Sequence, residues 1–277
     1  MNIFSMYQFL LNITGESRSV LDLKHGKAVD RRAMLGWEAH ESQLNLDLAM
    51  NLYIHCQEFG LATKVFEKLE KMDVGLMRFH IFWHVRVFNF SIVAIHNAKK
   101  KLVNRRPWIK RARKYVSMIR DWVKEGKAIN MGHKILLLEA ELLTLRVKKP
   151  YPTDATLKKV YDDVITRSAR SGFLHEAALA SAFAANAVSN NNEKQRYALR
   201  AQQLYKSWDA RGIISHLQKS RILYKEGAVI DSSNCLSNAS SSRGCLGKQQ
   251  FGDKGGILEV HRSITAAEDK VRRDNLL

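Results

Sequence analysis

Residues 76–98 read LMRFHIFWHVRVFNFSIVAIHNA, a stretch crowded with aromatic and aliphatic side chains. A helix of this length could cross a bilayer, but Arg78 and Arg86 would then lie in the hydrocarbon. Each buried arginine would cost roughly 2.5 to 3.5 kcal/mol on insertion scales. The stretch therefore predicts a mostly buried helix of a soluble protein and no membrane span.

The sequence before this stretch is typical of paired helices. The chain of 277 residues contains 3 prolines and 45% apolar residues, so it lacks the turn punctuation that short strands require. Apolar residues recur at helical spacing from Leu44 to Tyr53, and Gly60 then precedes a second apolar face. Because a short link makes neighbouring helices antiparallel, residues 40–73 are predicted to form one αα-hairpin.

The sequence after it repeats this pattern. Pro107 suits the first position of a helix, and a turn at Gly126 leads to a second helix of the same hairpin. Thr153 or Asp154 can cap the next helix, and an alanine-rich partner follows Gly172. Helix starts about 38 residues apart approach the 34 of tetratricopeptide units. The predicted fold is all-α, a tetratricopeptide-like α-solenoid of antiparallel helix pairs with flexible termini.

Composition divides the chain into four segments. We predict a loosely ordered lead-in with one short helix over 1–36 and a helical-repeat domain over 37–227. A linker rich in Ser, Asn and Gly follows over 228–256, and 257–277 forms a short C-terminal helix or a disordered tail. The 3 cysteines are scattered and build neither a disulfide framework nor a zinc site, which predicts a cytoplasmic location.

Patterns that carry chemistry are absent from the sequence. No P-loop, kinase motif set or GxSxG elbow occurs. His80 and His84 have zinc-ligand spacing without an intervening glutamate, so a packed or edge-exposed pair is the favoured interpretation. Glu139 and Glu141 lie on different faces of a helix, so one is predicted to be solvated and the other to pair with a neighbouring helix. We predict no catalytic residue, no cofactor and no metal.

Positive charge is concentrated after the apolar stretch. The net charge is +18, and Lys99 to Lys127 carry twelve basic residues against two acidic ones. Six of these cations form a predicted partner-binding basic face: Arg105, Arg106, Lys110, Arg111, Arg113 and Lys114. The face is either a plain solvated surface or a docking surface. A nucleic-acid binder is the alternative function, although the spacing of Trp108, Tyr115 and Trp122 matches a core stripe.

Several short motifs between residues 40 and 220 carry a resemblance to a known family. They are HKILLLEAE at His133 to Glu141, Tyr161-Asp162, Ser171-Gly172-Phe173 before Glu176-Ala177-Ala178-Leu179-Ala180, and Tyr205 to Ala210 with Gly212. In this order they resemble the helical, tetratricopeptide-like region of large signalling proteins. Those proteins carry a STAND/AAA-type predicted ATPase beside serine/threonine-kinase, histidine-kinase or cyclase domains.

The resemblance implies a non-catalytic role. In that family the helical region is thought to relay or gate signals between the ATPase and an output domain, and neither domain is found in this sequence. We therefore expect a non-catalytic scaffold or regulatory module of intracellular signal transduction. Its expected partners are proteins, namely signalling ATPase or kinase components.

Overall fold

The computed structural model describes residues 3–28, 43–72, 82–100, 104–126, 128–145 and 151–220. Within these ranges the chain is helical and contains no strand, which confirms the predicted all-α class. The α-helices are α1 (Ile3–Thr14), α2 (Gln43–His55), α3 (Phe59–Lys71), α4 (Phe82–Lys100), α5 (Arg105–Lys124), α6 (Gly132–Leu143), α7 (Asp154–Arg170), α8 (Leu174–Ala187), α9 (Asn191–Ser207) and α10 (Arg211–Lys219). A short 3-10 helix, Ile129–Met131, precedes α6.

Helix α4 is buried on nearly every side. From Arg86 to Ala98 every side chain is buried except that of His96, and α2, α3, α5 and α6 all pack against the helix. A helix that is apolar all round has no face for water and must sit inside the core. Among the described residues, no helix has both the length and the apolar character needed to cross a membrane.

One ion pair makes this burial possible. The guanidinium of Arg86 is fully buried, and its Nε and NH2 donate to the two carboxylate oxygens of Asp47 at 2.8 and 2.6 Å. The remaining nitrogen, NH1, donates to Gln43 Oε1 at 3.0 Å. Such a fork-to-fork arrangement satisfies a buried charge that would otherwise be very costly. The pair therefore fixes α4 against α2.

Helices next to each other in the chain pack together, and so do alternate helices. Contacts join α2 to α4, α4 to α6 and α6 to α8, while α3, α5, α7 and α9 each pack beside their neighbours in the chain. The alanines of α8 from Ala177 to Ala184 are buried against α7 and α9, as close helix packing requires. The end of α2 also reaches α8, where Leu52 and Cys56 share a core cluster with Ala178 and Ala182.

The helix ends follow the sequence with one difference. Thr153 caps α7 by accepting from Thr156 N at 3.2 Å, which confirms one of the two predicted caps. Asp154 instead accepts from the amides of Ser189 and Asn190, and so ties the start of α7 to the turn before α9. Pro107 is the third residue of α5 and not the first as predicted, but it still lies in the first turn, where amides lack helical acceptors.

Helix α1 packs against the last described helix. It contacts α10 and α2, and Gly212 approaches so closely that a Cβ there would collide with the carbonyl oxygen of Asn12. The sequence predicted one short helix within 1–36 but not this contact between distant parts of the chain. The predicted linker, 228–256, and the predicted C-terminal tail, 257–277, lie outside the described residues.

We predict that breaking the Arg86–Asp47 pair destabilises the protein. Asp47→Leu leaves the guanidinium buried without its carboxylate, and the free energy of unfolding should fall by about 3–5 kcal/mol. Replacing both residues by Leu should recover most of the loss, because no buried charge is then left. Urea unfolding measures both variants.

The matched control for this prediction is the exposed pair Arg167–Asp163, which is joined at 2.8 Å with side chains 63% and 48% exposed. Arg167→Leu should cost less than about 1 kcal/mol. Equal losses from Asp47→Leu and Arg167→Leu would contradict the role assigned to the buried pair.

Candidate functional site

Helix α5 carries the six cations of the predicted basic face. Its opposite, apolar side is buried, with Trp108, Ala112, Tyr115, Val116 and Ile119 in the core. Apolar residues at this spacing form one stripe on a helix, so the basic residues between them point away from the core. The buried positions of Trp108 and Tyr115 agree with the core stripe expected from their spacing.

Four cations form one exposed row, here called the α5 stripe: Arg106, Lys110, Arg113 and Lys114. Their spacing of four, three and one residues places them along one side of the helix. No acidic side chain of the described residues forms an ion pair with any of the four. Like charges four residues apart repel by about 0.2–0.5 kcal/mol per pair, so the stripe weakens the helix that carries it.

The other two cations hold α5 in place. Arg105 donates from NH2 to the carbonyl oxygen of Leu145, and Arg111 Nε lies 3.2 Å from both carboxylate oxygens of Glu70. The Arg111 guanidinium also lies 5.1 Å from the centre of the Trp108 ring. The structure therefore divides the predicted face into two intramolecular ties and four cations that are available to a partner.

An open groove of about 550 Å³ runs beside the stripe, between α3, α4 and α5. Its lining is mainly aromatic and sulfur-containing: Leu69, Glu70, Met72, Trp83, His84, Phe90, Lys114, Tyr115, Met118 and Trp122. Lys114 belongs to both the groove and the stripe, so the two surfaces are continuous. The sequence did not predict the groove, because its walls come from three helices. The aromatic residues of α4 could be recognised in the sequence.

The motifs that carry the family resemblance lie in buried polar contacts between helices. Glu176 of α8 is buried and pairs with His133 and Lys134, the first residues of the HKILLLEAE motif on α6. The His133 ring stacks on that of Phe173, with 4.2 Å between centres. Burial lowers the pKa of Lys134 to about 8. These residues tie α6 to α8.

The end of the same motif makes a second tie. Glu141 is buried, accepts from Lys99 Nζ at 2.5 Å and accepts from the hydroxyl of Tyr161. Burial and the nearby Glu141 carboxylate raise the pKa of Tyr161 well above its usual value. Glu139, in contrast, is partly exposed and pairs with Arg120 at 3.1 Å. Glu141 thus connects α6 to α4 and α7, as predicted for one of the two glutamates. Glu139 is not simply solvated as predicted for the other, because it also pairs with a neighbouring helix.

Metal ligands do not gather in the part of the chain that the structure describes. No group of three or more His, Cys, Asp or Glu side chains is placed there to hold an ion. His84 is exposed and meets the Trp122 ring edge-on at 4.6 Å, and His80 lies outside the described residues. Glu141 and Glu176 already have basic or hydroxyl partners and act as links between helices.

Two histidines have no carboxylate contact in the described ranges: His55 is buried and His96 is half-buried. His55 Nδ1 lies 3.1 Å from the Tyr205 hydroxyl, and burial lowers its pKa to about 3. His96 stacks on Phe59 with 3.6 Å between ring centres, and burial lowers its pKa to about 4. Both rings are therefore neutral in the folded protein near pH 7.

We predict that acid destabilises the protein through these histidines. Their pKa values are depressed in the folded state, so the unfolded chain binds more protons below about pH 6.5. The free energy of unfolding should fall by about 1.4 kcal/mol per pH unit for each histidine from pH 6.5 to about 4. Urea unfolding at a series of pH values measures this slope.

One substitution tests the assignment. His96→Phe keeps the ring stacked on Phe59 and should make the slope shallower by one histidine. His84→Gln is the control, because the His84 side chain is exposed and forms no ion pair with the described residues. An unchanged slope in His96→Phe would show that the lost stability comes from other groups.

Comparison with known proteins identifies no relative of this chain. No family model matches it, and neither a curated protein nor a solved structure does. The family resemblance of the motifs is therefore still a prediction.

Proposed function

We propose that the chain is a non-catalytic helical-repeat scaffold that docks an acidic segment of a protein partner on the α5 stripe. The observation that carries this proposal is the row of four exposed cations with no acidic partner in the described ranges. We further propose that the helices form a tetratricopeptide-like solenoid of antiparallel pairs, and that the protein acts in cytoplasmic signal transduction.

Charge placement supports a binding role for the stripe. Elsewhere in the described chain the charges that lie inside are paired across helices, as Arg86 is with Asp47 and Lys99 with Glu141. The stripe instead holds like charges at close spacing, which favours neither helix formation nor packing. Such a surface is stabilised when an anionic partner neutralises it, and the attraction also speeds the encounter.

The apolar groove favours a protein partner over a nucleic acid. Trp108 and Tyr115 are buried and so cannot offer a ring face to a base, which leaves the half-buried Trp122 of the three aromatic residues considered for stacking. The cations are concentrated on one helix, whereas a repeat protein that reads nucleic acid presents contacts from each repeat. Aromatic and methionine side chains beside arginine are typical of the energetic centre of protein interfaces.

The repeat and signalling parts of the proposal rest on two further observations. Alternate helices from α2 to α8 contact one another in series, as stacked repeats do. The motifs at His133 to Glu141 and at Glu176 resemble the helical region of predicted-ATPase signalling proteins. We therefore propose signalling ATPase or kinase components as the class of partner.

We predict that neutralising the stripe abolishes partner capture. The full chain, the variant Arg106→Gln/Lys110→Gln/Arg113→Gln/Lys114→Gln, and a control would each be used to capture proteins from a cell extract treated with nuclease. The control, Lys64→Gln/Lys71→Gln/Lys159→Gln/Arg170→Gln, removes the same charge from exposed positions on α3 and α7. Mass spectrometry should find proteins that the control retains and the stripe variant loses.

Two results would contradict the proposal. An equal loss of captured proteins in the stripe variant and the control would mean that net charge, and not the stripe, explains capture. Recovery of RNA before nuclease treatment, with steep loss of binding as salt rises, would instead support the nucleic-acid alternative.

A further inference from the structure

The groove beside the stripe contains apolar surface that the fold leaves partly open. Met72, Trp83, Met118 and Trp122 are half-buried and line it. Met118 and Trp122 follow Lys114 at intervals of four residues on α5, so they extend the same side of the helix. A chain bound along α5 would pass from the cations directly onto this apolar surface.

The charged groups at the groove do not repel an acidic chain strongly. Glu70 is the one carboxylate among the described lining residues, and its oxygens are occupied by Arg111 and by the Tyr115 hydroxyl at 3.0 Å. Lys114 contributes a positive charge, with its ammonium 5.3 Å from the centre of the Tyr115 ring. His84 is exposed and lies edge-on against Trp122.

We propose that this groove receives one aromatic or large aliphatic side chain of the docked partner, so that the partner segment is acidic at one end and apolar at the other. This inference rests on the proposed docking function and adds the chemistry of the segment. Binding energy in protein interfaces concentrates in such anchor residues, because they remove apolar surface from water at the centre of a contact.

The geometry also sets the spacing within the segment. Lys110 and Trp122 are twelve residues apart on α5, which corresponds to about 18 Å along a helix. We take the docked segment to be extended, and an extended chain covers that distance in five or six residues. The anchor should therefore lie that far from the centre of the acidic block.

Three synthetic peptides of equal charge test the proposal on the full chain. One carries a block of four Glu without an anchor, and the other two add a Phe six residues before or after the centre of that block. One of the anchored peptides should bind at least about tenfold more tightly than the plain one, as measured by fluorescence anisotropy. Equal dissociation constants for all three would overturn the inference.

A variant of the groove locates the anchor. Met118→Lys blocks the groove while adding positive charge, so the plain peptide should bind as well or better while the anchored peptide loses its tenfold advantage. Leu199→Lys is the control, because it adds the same charge at an exposed apolar residue on α9. An advantage that survives Met118→Lys would place the anchor elsewhere and overturn the inference.

Two further results separate the possible outcomes. If the stripe variant still binds the plain peptide, the proposed docking function fails, whereas loss of the Phe advantage alone defeats only the inference about the groove.

Residues 73–81 join Met72 to Phe82 and lie outside the described residues. If the advantage appears only after a Gly-Ser linker of equal length replaces 73–81, the chain itself covers the groove and the inference is wrong.

Discussion

Arg86 is buried in the centre of the core, so the packing of α4 depends on the Asp47 carboxylate that neutralises its charge. Helix α4 touches four other helices and is buried on nearly every side from Arg86 to Ala98, which is stable only if its internal charge is satisfied. Asp47 and Gln43 provide that satisfaction from α2. The aromatic and aliphatic residues of α4 can then serve as the common surface on which α3, α5 and α6 pack.

Buried charges elsewhere in the described chain are also paired with groups from other helices. Glu176 and Glu141 are buried, and both are matched by basic groups from other helices. These are motif residues, so the resemblance that they carry concerns helix packing and not catalysis. The α5 stripe is different, since four exposed cations lie in a row on one helix. We propose that a partner supplies the negative charge that faces them.

Local features of the sequence were enough to predict the helices and some of their ends. Helical spacing of apolar residues predicted α2, α5 and α7, and the Thr153 cap follows from hydroxyl chemistry at a helix start. The ion pair of Arg86 was not predicted, because its partner lies 39 residues earlier and periodicity does not say which helices meet.

Only part of the candidate site could be predicted, because periodicity does not say which helices meet. The concentration of cations on α5 is visible in the sequence, but its division into tying and exposed residues depends on Glu70 and on the carbonyl of Leu145. The groove depends on Trp83 and Trp122 meeting from separate helices. The packing of α1 on α10 joins segments about 200 residues apart, a separation at which sequence patterns carry little information.

The central claim is that the α5 stripe serves binding and not stability. The most direct test is the free energy of urea unfolding of the chain in which Arg106, Lys110, Arg113 and Lys114 are all replaced by Gln. Relief of repulsion predicts a value equal to or above that of the unmodified chain, with the difference largest at low salt. A loss of more than about 1 kcal/mol would contradict the account, because it would mean that these cations hold the fold together.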